Sequence, residues 1–159
     1  MWMMYILSAM VAISGGQYVL HQTSMQELAS PDGAPAALAD NFFTYSNAVG
    51  RFVAAQSLGY TAPGVGNAVP DASLNFPAWY VRDPRWRNKV IGGTVTIYAA
   101  AAMAGIEFSE LLAHRTDFAF GAGTTTNTRE IVSAVHGPTG IFAPAGVPGG
   151  VPVFQVRLN

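Results

Sequence analysis

The stretch from Trp2 to Leu20, WMMYILSAMVAISGGQYVL, constrains this chain more than any other, because no Asp, Glu, Lys or Arg occurs before Glu27. As a helix these residues would span about 28 Å, close to the hydrocarbon thickness of a bilayer. Ser8, Ser14, Gly15, Gly16 and Gln17 dilute its apolar character, but small polar residues can be buried in a helix–helix contact inside lipid. The expectation is an N-terminal membrane anchor over residues 1–25 and an exported α+β domain over residues 26–159. Two other readings compete. In a cleaved signal peptide, Met3 to Ile13 would be the apolar core and Ala12-Ile13-Ser14 or Ser14-Gly15-Gly16 the cleavage site, although no basic residue precedes them. A buried helix of a soluble domain would normally show a polar face, which this stretch lacks. The first basic residue is Arg51, so the positive-inside rule has little to count.

The remaining composition excludes several function classes. Half of the residues are hydrophobic and 11% are charged, against about 25% in ordinary globular chains. A net charge of −1 supplies no global field to gather nucleic acid or anionic membrane. With no cysteine there is no disulfide framework, no thiolate nucleophile and no cysteine-based zinc site. Gly and Pro together contribute 27 residues, which predicts many turns.

After a stop at Ser30-Pro31-Asp32-Gly33, an amphipathic helix is expected from Pro35 to Ser57. Leu38, Phe42, Tyr45, Val49 and Phe52 recur at helical spacing on one face, with Asp40, Thr44, Asn47 and Arg51 on the other. Pro35 fits a first turn and Gly59 a stop. The Gly/Pro-rich segment Gly59–Pro77 is longer than an ordinary connection, so it is either an exposed functional loop or packed on its neighbours. Strands are then expected at Trp79–Val81, at Lys89–Ala100 with Val95 and Ile97 alternating, at Asp117–Gly123 with Phe118 and Phe120 on one side, and at Glu130–Val135. Glu107–His114 reads as a short helix, Gly137–Gly150 as a second loop and Val151–Leu158 as an edge strand that tolerates Pro152. The sum is a small, mainly antiparallel sheet with one short helix, preceded by the anchor and the amphipathic helix.

Arg82-Asp83-Pro84-Arg85-Trp86-Arg87-Asn88-Lys89 is the one charge cluster, holding four of the eight positive charges beside Trp79 and Tyr80. Arg and Trp are enriched at protein interfaces, so Trp79, Arg82, Arg85, Trp86, Arg87 and Lys89 are the candidate contact residues. Nucleic-acid backbones and bases also exploit such interleaving, but the rest of the chain is not basic. A solvated turn is the plain alternative. His21, His114 and His136 are far apart and begin no metal-ligand spacing. Gly121-Ala122-Gly123-Thr124-Thr125-Thr126 lacks the Lys and spacing of a phosphate loop, and no Ser sits in a GxSxG elbow. No catalytic, cofactor or metal residues are expected.

Laid out this way, the chain resembles the small PilM-type proteins encoded with the thin (type IVb) pilus of conjugative plasmids. The residues carrying the resemblance are the uncharged Trp2–Leu20 stretch, the helix around Asn41-Phe42-Phe43-Thr44-Tyr45, the Trp79 region, the Thr94-Val95-Thr96-Ile97-Tyr98 strand, Gly105-Ile106 at the start of a short helix, and the Pro/Gly-rich tail before the last strand. The larger actin-like ATPase of other type IV pili that shares the name is not what this chain resembles. The resemblance implies an inner-membrane protein with a periplasmic domain, held through residues 2–20 and serving the pilus basal body or pilin export. It brings other pilus assembly proteins as partners and no catalytic residues.

The expected function is therefore a single-pass, non-enzymatic scaffold for pilus biogenesis and conjugation, with homo-oligomerisation left open. Its expected contacts are the Gly59–Pro77 loop, the Trp79–Lys89 segment and the edge of Val151–Leu158, through strand addition. A minor pilin-like subunit is the neighbouring reading, although a basic leader and an early Glu are missing. A secreted ligand-binding protein or enzyme, released by signal cleavage, is the reading from another class.

Overall fold

In the computed structural model, residues 33–103, 106–117 and 119–158 are described; the expected anchor over residues 2–20, the 25/26 boundary, His21 and Phe118 lie outside them. Among the described residues no helix is long and apolar enough to cross a membrane. The chain divides into two compact units, Met1–Ala37 and Leu38–Asn159, and the second holds both the sheet and the buried core.

Helix α1 spans Gly33–Ala54, with Pro35 in its first turn, where a missing N–H costs nothing. Its interior hydroxyls are satisfied locally: Thr44 Oγ1 donates to the Asp40 carbonyl and Ser46 Oγ to the Phe42 carbonyl, at 2.8 and 2.9 Å. The face it buries is Ala39, Phe42, Tyr45, Val49 and Val53. This is the expected stripe turned by one residue at its ends, where Leu38 and Phe52 are only half-buried. Small Ala39 in place of Leu38 lets the helix approach its neighbours closely.

Strands β1 (Trp86–Ile91) and β2 (Thr94–Ala99) form a hairpin, so the single strand expected over Lys89–Ala100 is corrected. Gly92 and Gly93 both take positive φ, 56° and 76°, as a two-residue turn matched to the strand twist requires. Helix α2 follows at Ile106–Arg115, then β3 (Ala122–Thr125), β4 (Glu130–Ser133), β5 (Gly137–Phe142) and β6 (Pro152–Arg157). The six strands form one antiparallel sheet in the order β1-β2-β6-β3-β4-β5. The fold is thus α+β, as expected.

Three further expectations are corrected. Trp79–Val81 is not a strand: a turn at Ala78-Trp79 leads into irregular backbone. The strand placed at Asp117–Gly123 begins only at Ala122, leaving Phe120 60% exposed. The segment read as a loop over Gly137–Gly150 contains β5, whose Gly137, Pro138 and Gly140 mask its strand character.

The largest correction concerns the last strand. β6 is not an edge: it lies between β2 and β3, and Ile97 and Ala122 both face Phe154 across its two ladders. Pro152 is tolerated because it opens the strand and meets only β3, opposite Thr124. The close packing here explains the glycines of the Gly121–Thr126 run. A Cβ on Gly121 would lie 1.9 Å from the Gln155 carbonyl oxygen, and one on Gly123 would lie 2.1 Å from that of Val132. The actual edges are β1 and β5. On β5, Thr139 Oγ1 donates to the Ile131 carbonyl at 2.7 Å and the Gly140 N–H to Glu130 Oε1 at 3.2 Å. With Pro138 added, that edge offers a poor ladder to an incoming strand.

Both helices cover one face of the sheet. Phe42 of α1 meets Trp86 of β1 edge-on at 4.9 Å, and Phe108 of α2 lies 6.0 Å from each. Such pairs add about 0.5–1.5 kcal/mol beyond their burial. The other face is roofed by the segment between β5 and β6, where Ala143, Val147 and Val151 are buried. It is pinned by Thr125 Oγ1, which donates to the Pro148 carbonyl at 2.7 Å.

Candidate functional site

Strand β1 begins inside the charge cluster, at Trp86, and its alternation sorts the residues from there on into two sets. Trp86, Asn88 and Val90 point into the core, while Arg87, Lys89 and Ile91 point to the opposite face. Trp86 is completely buried. The segment before it is fastened to α1 by Asn41, whose Oδ1 accepts from Trp86 Nε1 at 2.8 Å, from the Tyr80 hydroxyl at 3.1 Å and from the Asp83 N–H at 3.2 Å. Asn41 Nδ2 donates in turn to the Val81 carbonyl at 2.8 Å. One amide thereby sets the path of residues 80–86.

Asn88, on the same face of β1 as Trp86, performs a similar task toward the outer edge of the strand. Its Oδ1 accepts from the Val69 N–H at 2.7 Å, and its Nδ2 donates to the Val69 carbonyl at 2.9 Å and to the Tyr45 hydroxyl at 2.7 Å. The amide stands in for a neighbouring strand. With the Ala62 N–H donating to the Val90 carbonyl at 3.1 Å, it seals the outer edge of β1 against residues 60–70. The Gly59–Pro77 segment is accordingly packed, with Ala62, Val69 and Leu74 buried and short 3₁₀ turns at Val65–Asn67 and Asp71–Ser73.

Between this segment and β1 lies a cleft of about 480 Å³. Arg82, Arg87 and Lys89 line it, together with Asp71, Tyr45 and Tyr98. Arg82 is already committed: it pairs with Asp71, donates to the Trp86 carbonyl and lies 4.9 Å over the Tyr45 ring. Its buried Nε has no hydrogen-bond partner among the described residues. Among the described residues Arg87 donates only to main-chain carbonyls, of Pro84 at 2.5 Å and Trp86 at 2.9 Å. Lys89 Nζ donates to the Ala145 carbonyl at 2.5 Å. Among the described residues no carboxylate pairs with either. Burial raises the pKa of Tyr45 and of Tyr98 above the ordinary phenol value, against opposing contributions from Asn88 and Arg82 at Tyr45 and from Arg87 at Tyr98. Both therefore keep their protons and remain donors through neutral pH.

The remaining candidates fall elsewhere. Arg85 is half exposed and forks onto Asp83 through Nε and Nη2, at 2.9 and 2.6 Å. That bond holds the Asp83 carboxyl below its ordinary pKa and raises that of Arg85. Trp79 is 74% exposed in its turn, next to Val81 at 81%. The structure thus brings Arg82, Arg87 and Lys89 to one cleft, leaves Trp79 and Arg85 on the surface and places Trp86 inside. Among the described residues no three His, Asp or Glu side chains are placed to share a metal ion. The sequence reading missed Asn41, Asn88 and Tyr98. Asn88, a polar residue at an inward position of β1, was the one that alternation could have flagged.

Residues 9–155 match the family model PilM. The crystal structure of a PilM protein from Escherichia coli B7A is similar with a TM-score of 0.54 and 16% identity, covering 77% of this chain and 91% of that one; it shares the fold. A second crystal structure, of a pilM protein from Pseudomonas aeruginosa 2192, aligns over 78% of this chain and 95% of that one at 24% identity and a TM-score of 0.37. No curated protein matches.

Proposed function

This chain belongs to the PilM family, and on that premise we propose that it is a non-enzymatic component of pilus biogenesis, holding other pilus proteins by binding them. The observation that carries this reading is the cleft beside β1. Its cations and phenols are equipped to bind, and its one carboxylate, Asp71, is occupied by Arg82. The exposed Trp79–Val81 segment adds an apolar contact next to it in the chain. We take the setting to be the thin pilus of a conjugative system, with residues 2–20 as a single anchor in the inner membrane and the α+β domain in the periplasm. The uncharged character of that stretch supports the anchor.

The test is in cells that make the pilus. A photo-crosslinking residue at Trp79 should capture another pilus protein, and the full chain should fractionate with membranes while its C-terminal part is open to protease added to the periplasm. A chain that stays in the aqueous fraction overturns the anchor. Normal pili after deletion of the gene overturn the role itself.

A further inference from the structure

We infer that the cleft beside β1 is a receptor for a carboxylate of another protein chain, an acidic side chain or a C-terminus, seated between Arg87 and Lys89. This deepens the binding role proposed above and rests on it.

Arg87 and Lys89 leave β1 on the same face, two residues apart, which sets their stems about 7 Å from one another. Directly across the hairpin from Arg87 is Tyr98, so a guanidinium, an ammonium and a phenol border one space. Guanidinium and ammonium carry five and three donors. Among the described residues the contacts of Arg87 involve only its Nη1, and those of Lys89 a single carbonyl, which leaves Arg87 Nε and Nη2 and most of the ammonium for a further acceptor. Arg82 supplies no free charge, because Asp71 neutralises it. What is left is a local excess of two positive charges with neutral acceptors only, in a chain whose overall charge is −1. An arriving carboxylate would complete charge-assisted bonds that the fold itself leaves unmade.

The walls favour a polypeptide as the carrier of that carboxylate. The segment 65–70 borders the cleft with Val65, Ala68 and Pro70, and Val65 is fully exposed at the rim. An apolar residue next to the acidic one in a peptide would rest there, whereas a free phosphate has nothing to place on it. Gly146 of the β5–β6 segment also lines the cleft, beside Lys89. A bounded cleft of this kind suits a side chain better than the flat array of head groups on a bilayer.

The experiment titrates the full chain, in zwitterionic detergent, into a fluorescein-labelled hexapeptide of alternating Glu and Leu and follows anisotropy. The peptide should bind, more weakly as salt rises, while its Gln-for-Glu counterpart should not. Arg87→Gln with Lys89→Gln should weaken binding by about tenfold or more, Tyr98→Phe by less, and Arg157→Gln on β6 not at all. Neither inorganic phosphate nor phosphatidylglycerol added to the detergent as mixed micelles, at matched charge, should displace the peptide. Equal binding of the Gln peptide overturns the inference, as does displacement by phosphate or by phosphatidylglycerol. So does unchanged affinity in the Tyr98→Phe and Lys89→Gln single variants, which keep the test open if the double variant fails to fold. In cells the two proposals separate. Loss of pili on gene deletion, together with full rescue by the Arg87→Gln/Lys89→Gln chain, overturns the cleft and leaves the pilus role standing. Normal pili on deletion overturn the role, and the titration still decides the cleft.

Discussion

Asn41 of α1 holds Trp86 of β1: its Oδ1 accepts the indole N–H at 2.8 Å while the ring packs edge-on against Phe42, one residue along the same helix. One turn of helix therefore supplies both a polar and an apolar partner of Trp86, which is fully buried. The same amide fixes the segment that carries Trp79 and Arg82, so the core and the candidate site share a support.

Replacing Asn41 with Ala should cost about 2 kcal/mol, because it leaves the indole N–H unpaired inside the protein. Urea denaturation of Asn41→Ala against Asn47→Ala, an exposed position on the same helix, measures it. A loss no larger at Asn41 than at Asn47 would show that the amide is not a support.

The two tryptophans of the basic segment should behave oppositely. Trp86→Ala removes a fully buried ring and should cost about 3–5 kcal/mol, whereas Trp79→Ala at an exposed turn should stay within about 0.5 kcal/mol. In a Trp2→Phe background, fluorescence offers an independent check. Acrylamide should quench Trp79 readily and Trp86 poorly.

Glycine-to-alanine changes should split by position. At Gly123 the new methyl meets the Val132 carbonyl oxygen at 2.1 Å, a backbone atom that cannot swing aside, so β3 and β4 must part and the folded yield should collapse. At Gly50, inside α1, nothing lies within 4 Å of the added carbon. There Ala should stabilise by about 0.5–1 kcal/mol. Thermal melting of the two variants tests the contrast, and a tolerated Gly123→Ala would contradict the strand packing described.

Asp83 should contribute to stability in acid. The hydrogen bonds from Arg85 lower its pKa in the folded protein, so the folded state binds a proton less readily than the unfolded chain. The contribution is complete above the ordinary carboxylate pKa of about 3.9 and is lost as pH falls through the lower folded value. Asp83→Asn should flatten the decline of the urea midpoint below that pH and leave its slope near neutrality unchanged. High salt should shrink the effect, since Arg85 is half exposed. An identical acid profile in the variant would show that Asp83 contributes nothing there.

Much of this molecule could be read from the order of its residues, where the signal is local. The stripe from Phe42 to Val49 and the alternation of Val95 and Ile97 each reflect a periodicity that one segment carries alone, and α1 and β2 lie where that periodicity places them. The hairpin turn at Gly92-Gly93 was equally local and was missed only because the strand pattern resumes directly after it. Reading the basic segment as a run of neighbours hid the alternation that drives Trp86 inward and leaves Arg87 and Lys89 outward.

Other features have no local signal. β5 contains Gly137, Pro138 and Gly140 and is a strand because β4 lies beside it. β6 is central because β3 returns to pair with it, although Pro152 at its start reads as an edge residue. The Asn41 and Asn88 clamps join residues up to 45 and at least 19 positions apart; alternation along β1 marks Asn88 as a polar residue at an inward position, but nothing local names its partners or sets Asn41 apart from the polar residues around it.

The amino-acid order alone determined the α+β class, the helix that covers the sheet and the segment where the positive charge gathers, since propensity and periodicity act between near neighbours. Only the tertiary structure decided which of those charges share a cleft, which tryptophan is core and which strands are edges. Those outcomes depend on pairings between distant segments, and a hydrogen bond or a close contact across a sheet leaves no mark on the spacing within either one.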